Sequence, residues 1–188
     1  MEYVSDYKRR IFIKSLTGLF LGTAFLPQRG YSLDSDEKKN LWDEFSEEEK
    51  ALIQASLMAT DILNYPGQGF SCAGSILASS LAFLGKSEEI VHVASSFGGG
   101  LGRSDLCGLL TGGHMAIGVS AGMIHKEVKE RQNYARKVSN VYWDWWKSRA
   151  PIHCGDLRSK YDSEGYPRML QRVALKVEEL IHPALEPQ

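Results

Sequence analysis

The sequence predicts an all-α domain, an irregular bundle of five to six helices with a glycine-rich loop. Apolar residues recur at helical spacing in most of the segments between the prolines and glycines. No segment alternates apolar and polar residues in the manner of a half-buried strand. A capping residue precedes several of the periodic segments, and proline or glycine follows them. These observations favour helices packed around one core.

Residues 1–30 have the pattern of an export signal. Lys8, Arg9 and Arg10 precede a mostly apolar run that is too short for a comfortable membrane span. The paired arginines, with Phe12 two residues on, resemble the twin-arginine signal, although Lys8 stands where Ser or Thr is usual. We therefore expect a periplasmic or cell-envelope protein that touches a membrane only through an uncleaved leader. A basic amphipathic helix is the alternative.

A polar linker over 31–45 separates this leader from the helical domain, which we expect over 46–188. Ser46 followed by Glu49 is a capping box for the first helix. Apolar residues continue that helix at helical spacing, and Pro66 ends it.

The second helix begins with a cysteine. Ser71 is its predicted cap, so Cys72 lies at a helix N-terminus. Gly85 is a typical residue just beyond a helix end. Ser87 starts a short third helix, which leads into the glycine-rich loop.

The glycine-rich loop is the most distinctive stretch of the chain. It consists of Phe97, Gly98, Gly99, Gly100, Leu101, Gly102 and Arg103. Its glycines permit positive φ angles or a close approach of other groups to the backbone. Ser104 or Asp105 is the predicted cap of the fourth helix, so Cys107 lies in its first turn. The helix dipole and free N–H groups favour a thiolate there.

Small residues recur along the fourth helix. Gly108 and Gly112 are four apart, and so are Gly118 and Gly122. This spacing permits close helix approach, which suggests tight packing around something or against a second subunit. His114 lies two turns after Cys107 and on the same face of the helix.

Two further helices complete the domain. The first runs from about 126 to 149 and is interpreted as carrying core or subunit-contact aromatics, with the shielding of a cofactor as the alternative. Its tryptophans are Trp143, Trp145 and Trp146. His153 and Cys154 follow in a predicted loop or turn, and Tyr166 with Pro167 starts the last helix.

Charge and cysteine spacing exclude several classes of protein. The net charge is -1 and no basic stripe stands out, so nucleic acid is not an expected partner. The chain contains no Cys-x-x-Cys, which excludes a locally encoded dithiol or zinc ribbon, and no Cys-x-x-Cys-His, so c-type haem is not expected. Three cysteines are an odd number, so at least one is free, shared between chains or bound to a metal.

The residues alone leave three interpretations open for Cys72, Cys107 and Cys154. Two thiolates at helix N-termini facing a third can hold an iron–sulfur cluster. Alternatively, the cysteines are buried small residues, or two of them form a disulfide and the third is free.

A family resemblance bears on this choice. The segments that carry it are Phe70–Ala73, Phe97–Arg103, Cys107–Gly112 and Cys154–Leu157. They resemble the C_GCAxxG_C_C family of redox proteins, which is similar to the cluster-binding part of split-Soret cytochrome c. The resemblance covers about half of the chain, roughly 61–157. It implies that Cys72, Cys107 and Cys154 match three of four family cysteines, which bind an iron–sulfur cluster or act in redox chemistry.

The fourth family cysteine has no counterpart after Cys154. His153 is the first candidate for an extra ligand, and His182, a carboxylate, solvent or another subunit are the others. Arg103 would pair with the charge of a cluster or form an ordinary surface salt bridge.

The resemblance therefore implies an exported electron carrier with a [2Fe–2S] or [4Fe–4S] cluster, rather than an enzyme that turns over a substrate. Its expected partners are a redox protein and further copies of the same chain. The first alternative is a thiol–disulfide redox protein. The second is a cluster-less interaction module that uses the aromatic helix.

Overall fold

The computed structural model describes residues 44–161 and 165–186, which belong to one compact unit. The predicted leader over 1–30 and most of the predicted linker over 31–45 lie outside the described residues. Seven α-helices occur in the described ranges: α1 (Glu47–Ala55), α2 (Leu57–Asp61), α3 (Cys72–Phe83), α4 (Gly108–Ile124), α5 (Val128–Lys147), α6 (Cys154–Lys160) and α7 (Gly165–Ile181).

The predicted all-α fold is confirmed, because these ranges contain no β-strand. Five of the seven helices have nine residues or more, and short 3-10 turns join several of them. In the part of the chain that the structure describes, no helix is both long enough and apolar enough to cross a membrane.

Three helix predictions need correction. The first predicted helix breaks at Ser56, whose hydroxyl accepts a hydrogen bond from Ala59 N (2.9 Å) and donates one to Glu178 (2.7 Å). A serine that bonds its own backbone and a distant carboxylate interrupts a helix. The predicted third helix is a 3-10 helix, Glu88–Phe97, and the segment that begins at Cys154 is a helix, α6, rather than a loop.

The fourth helix also begins later than predicted. Ser104 has a φ of 60° and Asp105 has a ψ of −134°, so neither lies in the conformation of a helix cap. Cys107 is itself the N-cap, and α4 starts at Gly108. Residues of the loop turn therefore delay the start of this helix.

The close packing expected at Gly108 and Gly112 is found between α3 and α4 of this chain, whereas a Cβ on Gly118 would meet no atom within 4 Å. A Cβ on Gly112 would lie 2.8 Å from Ala73 O and 3.0 Å from the Ile76 side chain. A Cβ on Gly108 would lie 3.0 Å from the Cβ of Cys72. The two helices therefore start side by side, and a larger residue at either glycine would push them apart.

The aromatic end of α5 belongs mainly to the core. Tyr142 and Trp146 are fully buried. The Tyr142 ring lies where a Cβ of Gly113 would be, and its hydroxyl donates to Leu109 O at 3.0 Å. Trp146 donates its indole N–H to Pro151 O at 3.0 Å. The predicted core role of the aromatic helix is therefore confirmed for these two residues.

A buried ion pair joins the first long helix to the last. Arg172 donates two hydrogen bonds to the carboxylate of Glu49, at 2.6 and 2.7 Å, and its side chain is 3% exposed. Its guanidinium also stacks 3.9 Å from the ring centre of Phe45. Ser46 caps α1 as predicted, but the Glu49 carboxylate binds α7. This pair fixes the position of α7 relative to α1.

Replacing Arg172 with Met should lower the free energy of unfolding by about 2 to 3 kcal/mol, because Glu49 then loses its partner in a poorly hydrated site. Lys176→Met is the matched control, since Lys176 pairs with Glu179, which is 64% exposed. It should change stability by less than about 0.5 kcal/mol. Urea unfolding measures both values, and similar losses in the two variants would contradict the prediction.

Candidate functional site

Three cysteines from three different helices lie close together. Cys72 is the first residue of α3, Cys107 caps α4 and Cys154 is the first residue of α6. Cys154 and Cys72 both raise the pKa of Cys107 through their charge, and Cys72 raises that of Cys154, so the three thiols lie within electrostatic reach of one another. All three are free thiols. The structure thus brings together the three site residues that the sequence predicts far apart along the chain.

Two of the cysteines are aligned by main-chain hydrogen bonds. Leu106 and His153 form an isolated antiparallel bridge. Beside it, Cys107 donates its N–H to Ile152 O (2.9 Å), and Cys154 donates its N–H to Asp105 O (2.7 Å). These bonds hold the starts of α4 and α6 side by side.

The glycine-rich loop contains a left-handed turn. Gly99, Gly100, Leu101 and Gly102 have φ angles of 60°, 63°, 58° and 68°. Glycine adopts this conformation without the steric penalty that a Cβ brings, whereas Leu101 bears that strain. The turn closes with a hydrogen bond from Asp105 N–H to Gly100 O at 3.0 Å.

Glycines mark the places where the loop region contacts the cysteine-bearing helix starts. A Cβ on Gly98 would lie 2.5 Å from the Cβ of Ser71. A Cβ on Gly100 would lie 2.7 Å from the Cβ of Cys154 and 2.6 Å from the backbone of Asp105. Because Gly98 and Gly100 have no side chain, the loop backbone can lie directly against the starts of the helices. This close approach helps to bring the thiols together.

Cys107 is the most buried of the thiols, with 1% of its surface exposed. Burial raises its pKa to about 12, although the nearby backbone N–H groups of Leu109 and Leu110 act in the opposite direction. The expectation of a thiolate at this helix start is therefore wrong for the metal-free protein. Desolvation outweighs the N–H donors, and the thiol keeps its proton at neutral pH.

Cys154 has a positive neighbour that sequence reasoning missed. Burial raises the pKa of Cys154, and the charge of Arg158 partly opposes that rise. Arg158 lies four residues further along α6. A helix prediction for this segment would have placed both on one face. Arg103, the basic residue that the sequence indicated as a partner for the charge of a cluster, is exposed.

Cys72 has a hydrogen-bond partner that sequence reasoning also missed. The Tyr166 hydroxyl donates to Cys72 Sγ at 2.6 Å. Burial raises the pKa of Tyr166, and the neighbouring Cys72 and Cys107 raise it further. Ninety-four residues separate the two partners of this bond, so no local pattern indicates it.

The two histidines singled out in the sequence have other neighbours. His153 is 57% exposed, and its Nδ1 lies 2.9 Å from a carboxylate oxygen of Asp105. Its role as an extra ligand stays a prediction. The ring of His114 packs against Tyr142 and Trp143, with ring centres 5.3 and 6.4 Å away, and burial lowers its pKa.

The three cysteines supply the ligand type that an iron–sulfur cluster would need. Sulfur is the ligand that such clusters require, and N–H groups directed at the sulfurs stabilise their charge. Two backbone N–H groups, those of Leu109 and Leu110, lower the pKa of Cys107. Over 44–161 and 165–186, no three His, Cys, Asp or Glu side chains are arranged to hold a metal ion.

A groove of about 570 Å³ opens beside the start of α3. Phe70, Ser71 and Gly74, which flank Cys72 in sequence, form one side. Glu88, Glu89 and His92 of the 3-10 helix contribute to the lining. The groove offers a binding surface for another molecule next to the least buried cysteine.

The model of the family described as "putative redox-active protein (C_GCAxxG_C_C)" matches residues 70–180. This chain belongs to that family. The match extends past the segment 61–157 in which the motifs were recognised, and it includes Tyr166 as well as the three cysteines. Searches of curated proteins and of solved structures found no match.

Gly100→Ala should destabilise the protein by about 3 kcal/mol, from backbone strain together with the contact between the new Cβ and Cys154. Gly99→Ala is the matched control, because Gly99 has a similar positive φ, but a Cβ placed there would meet no atom within 4 Å. It should cost only the strain, about 1 kcal/mol. Urea unfolding of the metal-free proteins compares the two, and equal costs would show that the contact is unimportant.

The three thiols should react with iodoacetamide in a defined order. In the reduced, metal-free protein at pH 8, we expect Cys72 to react first and Cys107 last, at least about tenfold more slowly. Cys107 is both buried and protonated at that pH. Its rate should rise as the pH approaches 12. Mass spectrometry of peptides measures the order, which should disappear in urea. Equal rates in the folded protein would contradict it.

Proposed function

We propose that this chain is an exported electron-transfer protein that holds an iron–sulfur cluster through Cys72, Cys107 and Cys154. The observation that carries the proposal is the convergence of these thiols at three helix starts. Membership of a redox-active family supports it, as does the resemblance to the cluster-binding part of split-Soret cytochrome c.

The residues around the thiols suit an electron carrier. Cys107 and Cys154 are buried, so water has little access to their sulfurs. The nearby N–H groups of Leu109 and Leu110 would stabilise added negative charge. Arg158 places a positive charge beside Cys154. A bound cluster would supply a one-electron couple, so the protein would take one electron from a donor protein and give one to an acceptor without forming a bond to either.

Exposed apolar residues support a protein partner near the site. Leu101, in the left-handed turn, is 43% exposed, and Ile90 and Val93 of the 3-10 helix are 46% and 59% exposed. Surfaces of this kind mark protein contacts, with a redox partner or a second copy of the chain. The leader motif supports export by the twin-arginine route, which carries folded proteins to the periplasm or cell envelope.

The test is anaerobic isolation of the full chain from its native host, followed by iron and sulfide analysis and EPR spectroscopy. We expect bound iron and sulfide, and Cys72→Ser, Cys107→Ser and Cys154→Ser should each lose most of the iron, because each removes one thiolate ligand.

The control for this experiment is His125→Asn, since His125 is the C-cap of α4, at the end of that helix opposite Cys107. It should keep the iron content of the wild type. His153→Asn tests the extra-ligand prediction in the same experiment. A colourless protein without iron or sulfide would sink the proposal.

The second candidate is a thiol–disulfide protein. It is favoured by the mutual interactions of the three free thiols and by the groove next to the partly exposed Cys72. Alkylation before and after reduction, read by mass spectrometry, decides whether a disulfide forms in the oxidised protein.

An interaction module that uses the aromatic helix is the remaining alternative. Tyr142 and Trp146 are in the core, so such a module would use exposed residues of α5 such as Val128 and Val141, which are 58% and 48% exposed. Replacement of all three cysteines would then leave partner binding intact.

A further inference from the structure

The chain has three cysteines, and the structure places a further polar side chain directly on one of their sulfurs. This is Tyr166, whose hydroxyl donates to Cys72 Sγ at 2.6 Å and which also interacts electrostatically with Cys107. His153, by contrast, pairs with Asp105 and is 57% exposed.

Tyr166 lies in the first turn of a long helix that packs against the core. It is the second residue of α7, which packs against both α3 and α4. Arg172 anchors the same helix to α1 through its two hydrogen bonds to Glu49. The hydroxyl is therefore held in place by the core rather than by a surface loop.

We infer that Tyr166 is the fourth protein group of the thiol site, a positioning residue whose hydrogen bond to Cys72 Sγ raises the site's reduction potential. The inference rests on the proposed function for its redox consequence only. The hydrogen bond itself is independent of what the thiols hold.

The direction of the effect follows from charge. Reduction adds negative charge to a cluster and its sulfur ligands, and a hydrogen-bond donor stabilises that charge. The same sign applies to a dithiol, since a stabilised reduced form makes a stronger oxidant. A poorly hydrated site strengthens the bond further.

Other charges near the site do not depend on the hydroxyl. Arg158 acts on Cys154 and on Tyr166 from α6, and the Leu109 and Leu110 N–H groups act on Cys107. A Phe at position 166 retains the ring and its packing, and it removes only the donor. A change in potential in Tyr166→Phe therefore reports the lost hydrogen bond.

The experiment compares full-length wild type, Tyr166→Phe and Tyr161→Phe after anaerobic isolation. Tyr161 is the matched control because it is also buried, and its hydroxyl contacts Glu44 at 3.5 Å rather than a sulfur. We expect unchanged iron and sulfide in both variants. An EPR-monitored redox titration should place the midpoint of Tyr166→Phe below that of the wild type and leave Tyr161→Phe unchanged.

Two results would overturn the inference in this experiment. One is a Tyr166→Phe variant that keeps its full iron content and has the same reduction midpoint potential as the wild type. The other is a loss of iron in that variant together with a phenolate-to-iron absorption band in the wild type, which would make Tyr166 a ligand instead of a donor.

A second measurement separates this inference from the proposed function. In the reduced, metal-free protein, Tyr166→Phe and Cys72→Ala are combined in a double-mutant cycle by urea unfolding. If the two substitutions shift the urea midpoint of unfolding non-additively, the hydrogen bond is supported. Additive shifts of the urea midpoint overturn it. An iron-free wild type would refute the cluster, and the cycle would still decide whether Tyr166 acts on Cys72.

Discussion

The close approach of glycine backbone to the cysteine-bearing helix starts is the constraint on which the site depends. Gly98, Gly100 and Gly108 contact, in turn, the residue before Cys72, Cys154 and Cys72 itself. At each place a Cβ would occupy space that another group already fills. The three thiols can converge because backbone alone separates these segments, and the left-handed turn at Gly99–Gly102 leads the chain into that position.

Burial and hydrogen bonding then divide the thiols into different environments. Cys107 lies deepest and is held as a neutral thiol in the metal-free protein, whereas a soft metal would replace its proton. Cys154 has Arg158 nearby, and Cys72 receives the hydroxyl of Tyr166. Each sulfur is therefore stabilised by a different kind of donor or charge. A redox site benefits from this arrangement because its oxidation states differ in charge.

The predictions that succeeded were local. The Ser71 cap depends on a side chain three residues from its N–H partner, and Gly85 ends α3 in the left-handed conformation expected of it. The start of α4 was placed too early because the turn at Ser104 and the bridge to residues 152–154 hold this segment extended. Neither the turn geometry nor the bridge can be read from the composition of the loop.

The sequence by itself determined the helical class, most helix positions, the family and the three cysteines, because periodicity, caps and glycine spacing are short-range properties. Only the tertiary structure decided which groups meet those cysteines. Tyr166 reaches Cys72 across 94 residues and Arg172 reaches Glu49 across 123. Such contacts depend on how α7 packs against the other helices, and desolvation, which keeps Cys107 protonated, exists only once that packing has formed.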